Sequence, residues 1–214
     1  MENVMTRFCL IRHGETAWNA EQRIQGSIDI DLNDTGRHQA AQAAAGLLGR
    51  GASVLYSSDL ARAWSTAEAI GRVLGLAPLP LPQLRERRWG VLEGLTNAEA
   101  ERRFPLAFEK LQARDPDYDF ETGESKRAVF SRVVAALEAV AALHSGETVA
   151  VVLHGGVLDV INRYVRGLPL DTRRDFAIPN AGFNWIVREA AGWRIESWGE
   201  TAHLQALAQD ELAA

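Results

Sequence analysis

A three-layer α/β/α sandwich around a mostly parallel central sheet is the fold class this sequence predicts, and three features carry that expectation. Phe8 to Ile11 and Val149 to Leu153 are short apolar runs of buried-strand length. Stretches with helical spacing of small and apolar residues, among them Ala40 to Ala45 and Ala135 to Ala142, lie between the strands. Strands that alternate with helices need crossover connections, and crossovers build parallel sheets covered on both faces.

Taken in order, Phe8 to Ile11 leads into Arg12-His13-Gly14. Asn33-Asp34-Thr35-Gly36 is a turn and cap that opens a helix, with Ala40, Ala43, Ala44, Leu47 and Leu48 at helical spacing behind it. Val54 to Tyr56 is a short strand, after which Ser57 and Ser58 are placed to cap a helix over about Asp59 to Leu74. Pro78, Pro80 and Pro82 exclude a central strand and allow an edge or loop path towards Leu84 to Trp89. Thr96-Asn97-Ala98-Glu99 has the form of a capping box, and Pro105 interrupts the helix it opens. Ser125 caps the longest helix, to about Leu143, and a further helix follows Gly156. Phe183 to Val187 and Trp193 to Ser197, divided by Ala191-Gly192, form a closing hairpin.

With 214 residues, the chain is expected to be one domain spanning 1–214, at about 150 residues per domain. Its 23 Lys plus Arg against 28 Asp plus Glu leave a net charge of −5, which excludes nucleic acid or an anionic membrane as a partner held by overall charge. Any anion must therefore meet a local cluster. No apolar run approaches the roughly 18 to 20 residues of a membrane helix. Glu2 and the short run before Arg12 do not form a secretory pattern. Cys9 is the single cysteine, so no intrachain disulfide or cysteine-clustered metal site can form, and a cytoplasmic location is expected.

Chemistry is expected at the strand ends, because open α/β sheets bind ligands beyond the carboxyl ends of their strands. His13 and His154 each follow one of the two clearest strands. Alone, either would read as a buried histidine closing a strand. Gly14 after His13 and Gly155-Gly156 after His154 shift that reading, since small residues let backbone amides approach an anion and a helix N-terminus lies behind His154. Arg12 precedes His13, and Arg62 falls in the first turn of a helix, where a cation is unfavourable unless an anion compensates it. Both read as forked phosphate donors.

Arg12-His13-Gly14-Glu15-Thr16, Asn19, Arg23-x-Gln25-Gly26, Ser57-Ser58-Asp59-Leu60-x-Arg62-Ala63, Glu86-x-x-x-Gly90-x-x-Glu93-Gly94, Gly123-Glu124-Ser125 and His154-Gly155-Gly156 occur in order across Phe8 to His203. Together they resemble the phosphoglycerate mutase-like branch of the histidine phosphatase superfamily. The resemblance implies that fold, with residues 95–124 as a helical roof over the active site. It makes His13 the nucleophile that becomes phosphohistidine, Arg12, Arg62 and His154 the clamp on the phosphoryl oxygens, and Glu86 the proton donor and acceptor. Gly155, Asn19, Gln25 and Gly26 would line the same pocket. The chemistry is consistent: phosphoryl transfer needs an in-line nucleophile and donors around three equatorial oxygens, and these groups supply both without a metal. The arginines lower the His13 pKa and favour ionised Glu86, while an arriving phosphate dianion pushes Glu86 towards its acid form.

The expected activity is a metal-independent phosphatase acting on a small-molecule phosphate ester, with free phosphate as the other ligand. No cofactor is expected. A cofactor-dependent phosphoglycerate mutase is the alternative, and 2,3-bisphosphoglycerate would be needed only there; a non-catalytic phospho-ligand binder is a third reading. Asp115, Asp117, Asp119, Glu121 and Glu124, with no Lys or Arg among residues 115 to 124, argue for an acidic roof that disfavours a small trianionic substrate. Phe104, Phe108, Tyr118 and Phe120 could line an apolar wall. Trp18 and Trp89 are expected beside the site, and Arg85, Arg87 and Arg88 on a solvated strand edge or rim. His38, His144 and His203 carry no argued catalytic role, Cys9 reads as an inert buried thiol, and Asp29, Asp31 and Asp34 serve turns and caps. A monomer or a homodimer fits the sequence equally.

Overall fold

The structure, a computed structural model, describes residues 5–204. Glu2 and both ends of the expected 1–214 span lie outside the described residues. The strands are β1 (Thr6–Arg12), β2 (Ala52–Ser57), β3 (Leu79–Pro80), β4 (Thr148–Leu153), β5 (Phe183–Glu189) and β6 (Gly192–Glu200). The α-helices are α1 (Ala17–Ala20), α2 (Asp34–Gly46), α3 (Ala61–Leu74), α4 (Asn97–Arg103), α5 (Pro105–Gln112), α6 (Lys126–Leu143) and α7 (Gly155–Arg166). One sheet runs in the order β3-β2-β4-β1-β5-β6. Its first three pairings are parallel, and β5 and β6 add the antiparallel hairpin at one edge.

Alternation along the central strands builds two cores. Phe8 and Leu10 of β1, with Val149, Val151 and Leu153 of β4, pack under α6 and α7. Cys9 and Ile11, with Ala150 and Val152, face α2 and α3 on the other side. The second layer is tight because Ala43, Ala44, Ala63 and Ala67 are all fully buried between helices and sheet. A larger side chain at any of them would overpack the layer at a cost of about 1–3 kcal/mol. A third cluster, Leu92, Leu95, Ala100, Ala107 and Phe120, holds the segment expected to be a roof.

Most of the local chemistry acts as its sequence suggests. Asn33 and Ser125 cap α2 and α6, and Thr96 with Glu99 forms the capping box of α4. Pro105 starts a second roof helix instead of continuing the first, and Pro80 sits in the two-residue edge strand. The start of α3 differs. Ser57 is the last residue of β2, and Leu60 occupies the N-cap with no side-chain cap. The carboxylate of Asp29, from a distant loop, accepts from the Ala61 amide at 2.7 Å instead.

Candidate active site

Sheet register assembles the inner end of the site. Arg12 lies opposite Leu153 and Ser57 opposite Val152, so β1, β4 and β2 end at nearly one level. The next residues, His13, His154 and Ser58, therefore meet at one edge. Their backbones extend the ladder by a step: the His13 amide donates to the Leu153 carbonyl and the Ser58 amide to the Val152 carbonyl, each at 2.9 Å. The two imidazole rings are 5.2 Å apart, and His154 and Ser58 are fully buried.

Hydrogen bonding fixes what each ring can do. Nδ1 of His13 is 2.7 Å from the Gly14 carbonyl, which can only accept. Nδ1 therefore carries the proton and Nε2 the lone pair. Burial first, then the charges of Arg62 and Arg12, hold this imidazole well below the usual histidine pKa. Nε2 of His154 is 2.7 Å from Ser58 Oγ, which also accepts from the Leu60 amide at 3.4 Å. Among the described residues the serine hydrogen has no other acceptor, so it points at Nε2 and leaves the His154 proton on Nδ1. That Nδ1 is buried and bonded to no described residue. Burial and then Arg62 lower the His154 pKa as well, so both rings are neutral near pH 7.

The arginines are aimed by carbonyls. Arg12 donates to Ile178 O at 2.8 Å, while its own carbonyl accepts from Ala181, on the loop that leads into β5. Arg62 is fully buried and donates to Gly26 O at 2.7 Å and Ile28 O at 3.0 Å. Burial brings it down to about 10, with the nearby Glu86 charge opposing that shift. Its place in the first turn of α3 adds a repulsive dipole contribution of about 0.3–1 kcal/mol. An anion between Arg12 and Arg62 would offset both penalties.

Glu86 is held as a pointer. One carboxylate oxygen accepts from the Gly156 amide at 2.9 Å, the other from the Arg87 amide at 2.7 Å. A Cβ at Gly156 would stand 2.4 Å from the carboxylate, so only glycine admits this approach. Two of the three glycine amides expected to meet an anion are thus engaged within the protein: Gly156 with Glu86, and Gly14 with Thr66 Oγ1 at 3.1 Å. Gly14 serves packing, since a Cβ there would stand 2.4 Å from the Gly36 carbonyl of α2. Gly155, first residue of α7, keeps its amide on the cavity wall.

A cavity of about 770 Å³ opens from this end, and Arg12, His13, Asn19, Gln25, Gly26, Arg62, Glu86 and Gly155 all line it. His154 is fully buried beside His13 and is not itself among the lining residues. Asn19 doubles as the residue that closes the capping box of α1 with Thr16. Several expectations are corrected. Trp18 packs against Gly94 and is absent from the wall, whereas Trp89 lines it. Of the four roof aromatics only Phe120 reaches the cavity; Phe104, Phe108 and Tyr118 pack on the third core cluster. Arg87 is not on a solvated edge. It is buried against the Trp89 and Phe120 rings and donates to Tyr118 O and Glu124 O.

The acidic roof is also corrected. Asp117 pairs with Arg127, Glu124 with Arg132 and Asp115 with Lys110, while Asp119 accepts from the Glu121 amide. The roof turns two cations, Lys110 and Arg114, and one acid, Asp115, to the cavity beside Asn97, Leu111 and Phe120. Sequence reasoning missed these two, and also Lys126, Asp159, Arg163 and Arg173 of the same wall. Asp159 and Arg163 are an i,i+4 pair, which ordinarily marks a solvated helix face. The helical phase of Val157, Leu158 and Ile161 could have placed that face inward. Among the described residues no cluster of three or more His, Cys, Asp or Glu is arranged to hold a metal ion.

Comparison with known proteins adds four findings. The family model described as histidine phosphatase superfamily (branch 1) matches residues 8–201. "Phosphoglycerate mutase-like protein 4" of Arabidopsis thaliana is 38% identical over 200 residues, covering 92% of this chain and 86% of that protein. The "metal-independent phosphoserine phosphatase" of the same organism is 37% identical over 211 residues, covering 97% and 87%. Among solved structures, YhfR of Bacillus stearothermophilus superposes with a TM-score of 0.86 at 29% identity, over 94% of this chain and 100% of that one.

Proposed function

This chain belongs to the histidine phosphatase superfamily, branch 1, and we propose that it hydrolyses small-molecule phosphate monoesters, without a metal ion, through a phosphohistidine on His13. The observation that carries this reading is the meeting of a neutral, Nδ1-protonated His13 with Arg12, Arg62, His154 and Glu86 at one end of a cavity. Nε2 of His13 attacks phosphorus in line, and the ester P–O bond breaks. Arg12, Arg62, Nδ1–H of His154 and the Gly155 amide hold the equatorial oxygens, while Glu86 gives its proton to the departing alkoxide. Water then passes a proton to Glu86 as it attacks the phosphohistidine. The P–N bond breaks, releasing phosphate and neutral His13. Gly26 acts through its carbonyl, which aims Arg62, and Asn19 and Gln25 shape the wall.

On this reading no cofactor takes part, and the similarity to a metal-independent phosphatase supports it. A cytoplasmic site of action, on neither membrane nor nucleic acid, belongs to the same reading; no helix among the described residues is long and apolar enough to cross a membrane. The basic outer cavity and the mutase-like relative favour one second reading, a phosphoglycerate mutase primed by 2,3-bisphosphoglycerate. Phosphorus NMR with chelator present separates the two. Inorganic phosphate released from an aryl phosphate, and lost by at least about 10⁴-fold in His13→Ala, is the expected result. Interconversion of 3- and 2-phosphoglycerate without phosphate release would establish the mutase. Phosphate binding with no phosphohistidine would leave a non-catalytic binder.

A further inference from the structure

The motif Gly123-Glu124-Ser125 takes no part in the phosphoryl transfer, yet it joins the segment that carries Glu86 to α6. That segment, residues 85–89, belongs to no strand or helix, so no ladder sets its position. Its carbonyls still need donors, and these come from the motif and from Arg132. A Cβ at Gly123 would stand 2.5 Å from the Arg88 carbonyl oxygen and 2.7 Å from the Gly90 nitrogen, so glycine lets the two chains touch. The Glu124 amide then donates to Arg88 O at 2.9 Å. Ser125 accepts from the Ala128 amide and starts α6, which brings Arg132 round two turns later.

Arg132 gathers the segment. Its Nη1 donates to Gln83 O at 2.6 Å and its Nη2 to Glu86 O at 3.3 Å, while Nε and Nη2 fork onto the Glu124 carboxylate at 2.7 and 2.9 Å. One planar group thus fixes a carbonyl just before the segment, the carbonyl of Glu86 itself and the acid of the motif. A guanidinium has the donors for this in a single fork, and an ammonium does not. Arg87 returns the tie: its Nε donates to Glu124 O at 2.7 Å, and its amide holds a Glu86 carboxylate oxygen. Arg127, on the same helix, differs. It forks onto the Asp117 carboxylate and, among the described residues, hydrogen-bonds no atom of residues 85–89.

We infer that Arg132, with Glu124, is a positioning residue for the proton donor: it meets no reacting atom, and it holds the Glu86 backbone where the carboxylate reaches both the Gly156 amide and the departing oxygen. The inference rests on the phosphatase reading.

The test turns on the proton. The phenol of 4-nitrophenyl phosphate is acidic enough to leave without one, whereas the alcohol of benzyl phosphate needs it. In Arg132→Gln, kcat/KM should fall about tenfold for benzyl phosphate and less than about twofold for the nitrophenyl ester. Glu86→Gln sets the scale, with a split in the same sense of about 10²-fold. Arg127→Gln should change neither ester. Equal falls for the two esters in Arg132→Gln would overturn the positioning role, because damage to the fold slows both alike. Should Arg132→Gln fail to fold, Glu124→Gln, which breaks the fork but keeps the carbonyl bonds, decides: a split of about threefold supports the role and no split refutes it. The Gly156 amide proton, donated to Glu86 at 2.9 Å, reports the same pose without turnover. Its NMR shift should move in Glu86→Gln and Arg132→Gln but not in Arg127→Gln, and a shift unmoved in Arg132→Gln would refute the inference. If neither ester turns over, the phosphatase reading fails; if Glu86→Gln slows both alike, the proton-donor role fails. In either case the Gly156 shift alone decides whether Arg132 holds Glu86.

Discussion

At the inner end of the cavity Arg12 closes β1, His13 and His154 follow β1 and β4, and Arg62 opens α3, so the ends of sheet and helix set their positions, while Glu86 is held from a coil by the Gly156 and Arg87 amides. At the outer end the cations come from a roof helix, a coil segment and a loop, and are held by carbonyls and ion pairs. His13, His154 and Ser58 are aligned by a three-strand register, whereas Arg87, Arg114 and Arg173 share a wall only because separate segments converge. The inner end allows one geometry; the outer end can change its charges without disturbing the sheet. Perturbations at the first should therefore strike turnover, and at the second the choice of substrate.

The largest effect to break this contrast should come from Gly156→Ala. The new Cβ would stand 2.4 Å from a Glu86 carboxylate oxygen, and the flexible end of Glu86, rather than backbone, would yield. Stability should change by less than about 1 kcal/mol, while kcat falls about 10²-fold or more through the lost proton transfer. Urea melts beside steady-state rates check it; a variant that unfolds but keeps its specific activity would refute the account.

Ser58→Ala comes next. It removes the hydroxyl that fixes the His154 tautomer, so a donor to the phosphoryl oxygens is weakened rather than deleted, and kcat should fall about tenfold. Nitrogen-15 spectra should show His154 protonated at Nδ1 in the wild type and as a tautomer mixture in the variant. Ser58→Thr should restore both. A wild-type His154 protonated at Nε2 would contradict the assignment.

Why some of this was legible in the sequence and some was not follows from the same contrast. His13 and His154 could be placed because a run such as Val149 to Leu153 both predicts a strand and says where it ends. Asn33, Ser125 and the Thr96 to Glu99 box act within four residues and were read correctly. Ser58 was misread as a helix cap because its partner lies 96 residues away. The roof was misread for a related reason: counting acids over 115 to 124 ignores that Arg127 and Arg132 neutralise Asp117 and Glu124 from α6.

A third prediction uses pH. His13 and His154 have lowered pKa values, chiefly through burial. The folded state then binds fewer protons than the unfolded one, so stability is full above the unfolded histidine pKa of about 6.5 and declines below it. The slope is at most about 1.4 kcal/mol per pH unit for each group. Glu124 and Asp159, near the outer end, are lowered carboxylates whose stabilisation is lost only in the acid range, below their ordinary values near 4. Between pH 6.5 and 5 the slope thus reports His13 and His154 together with His203, which burial also lowers. His13→Ala should flatten it by as much as one group; an unchanged slope would mean that His13 is not held neutral.

The smallest effect should be Arg114→Gly, and it separates the two ends most cleanly. Arg114 occupies a left-handed conformation at φ 54° just past α5. Glycine should relieve that strain and raise stability by about 0.5–1 kcal/mol, even after its own entropy cost. The same change deletes a cation from the outer wall, so kcat/KM for an ester that carries a second negative charge should fall relative to a neutral one. Stability and selectivity would then move in opposite directions at one residue, as expected where a side chain serves the ligand rather than the fold. A variant both less stable and equally selective would mean that Arg114 contributes packing rather than ligand binding.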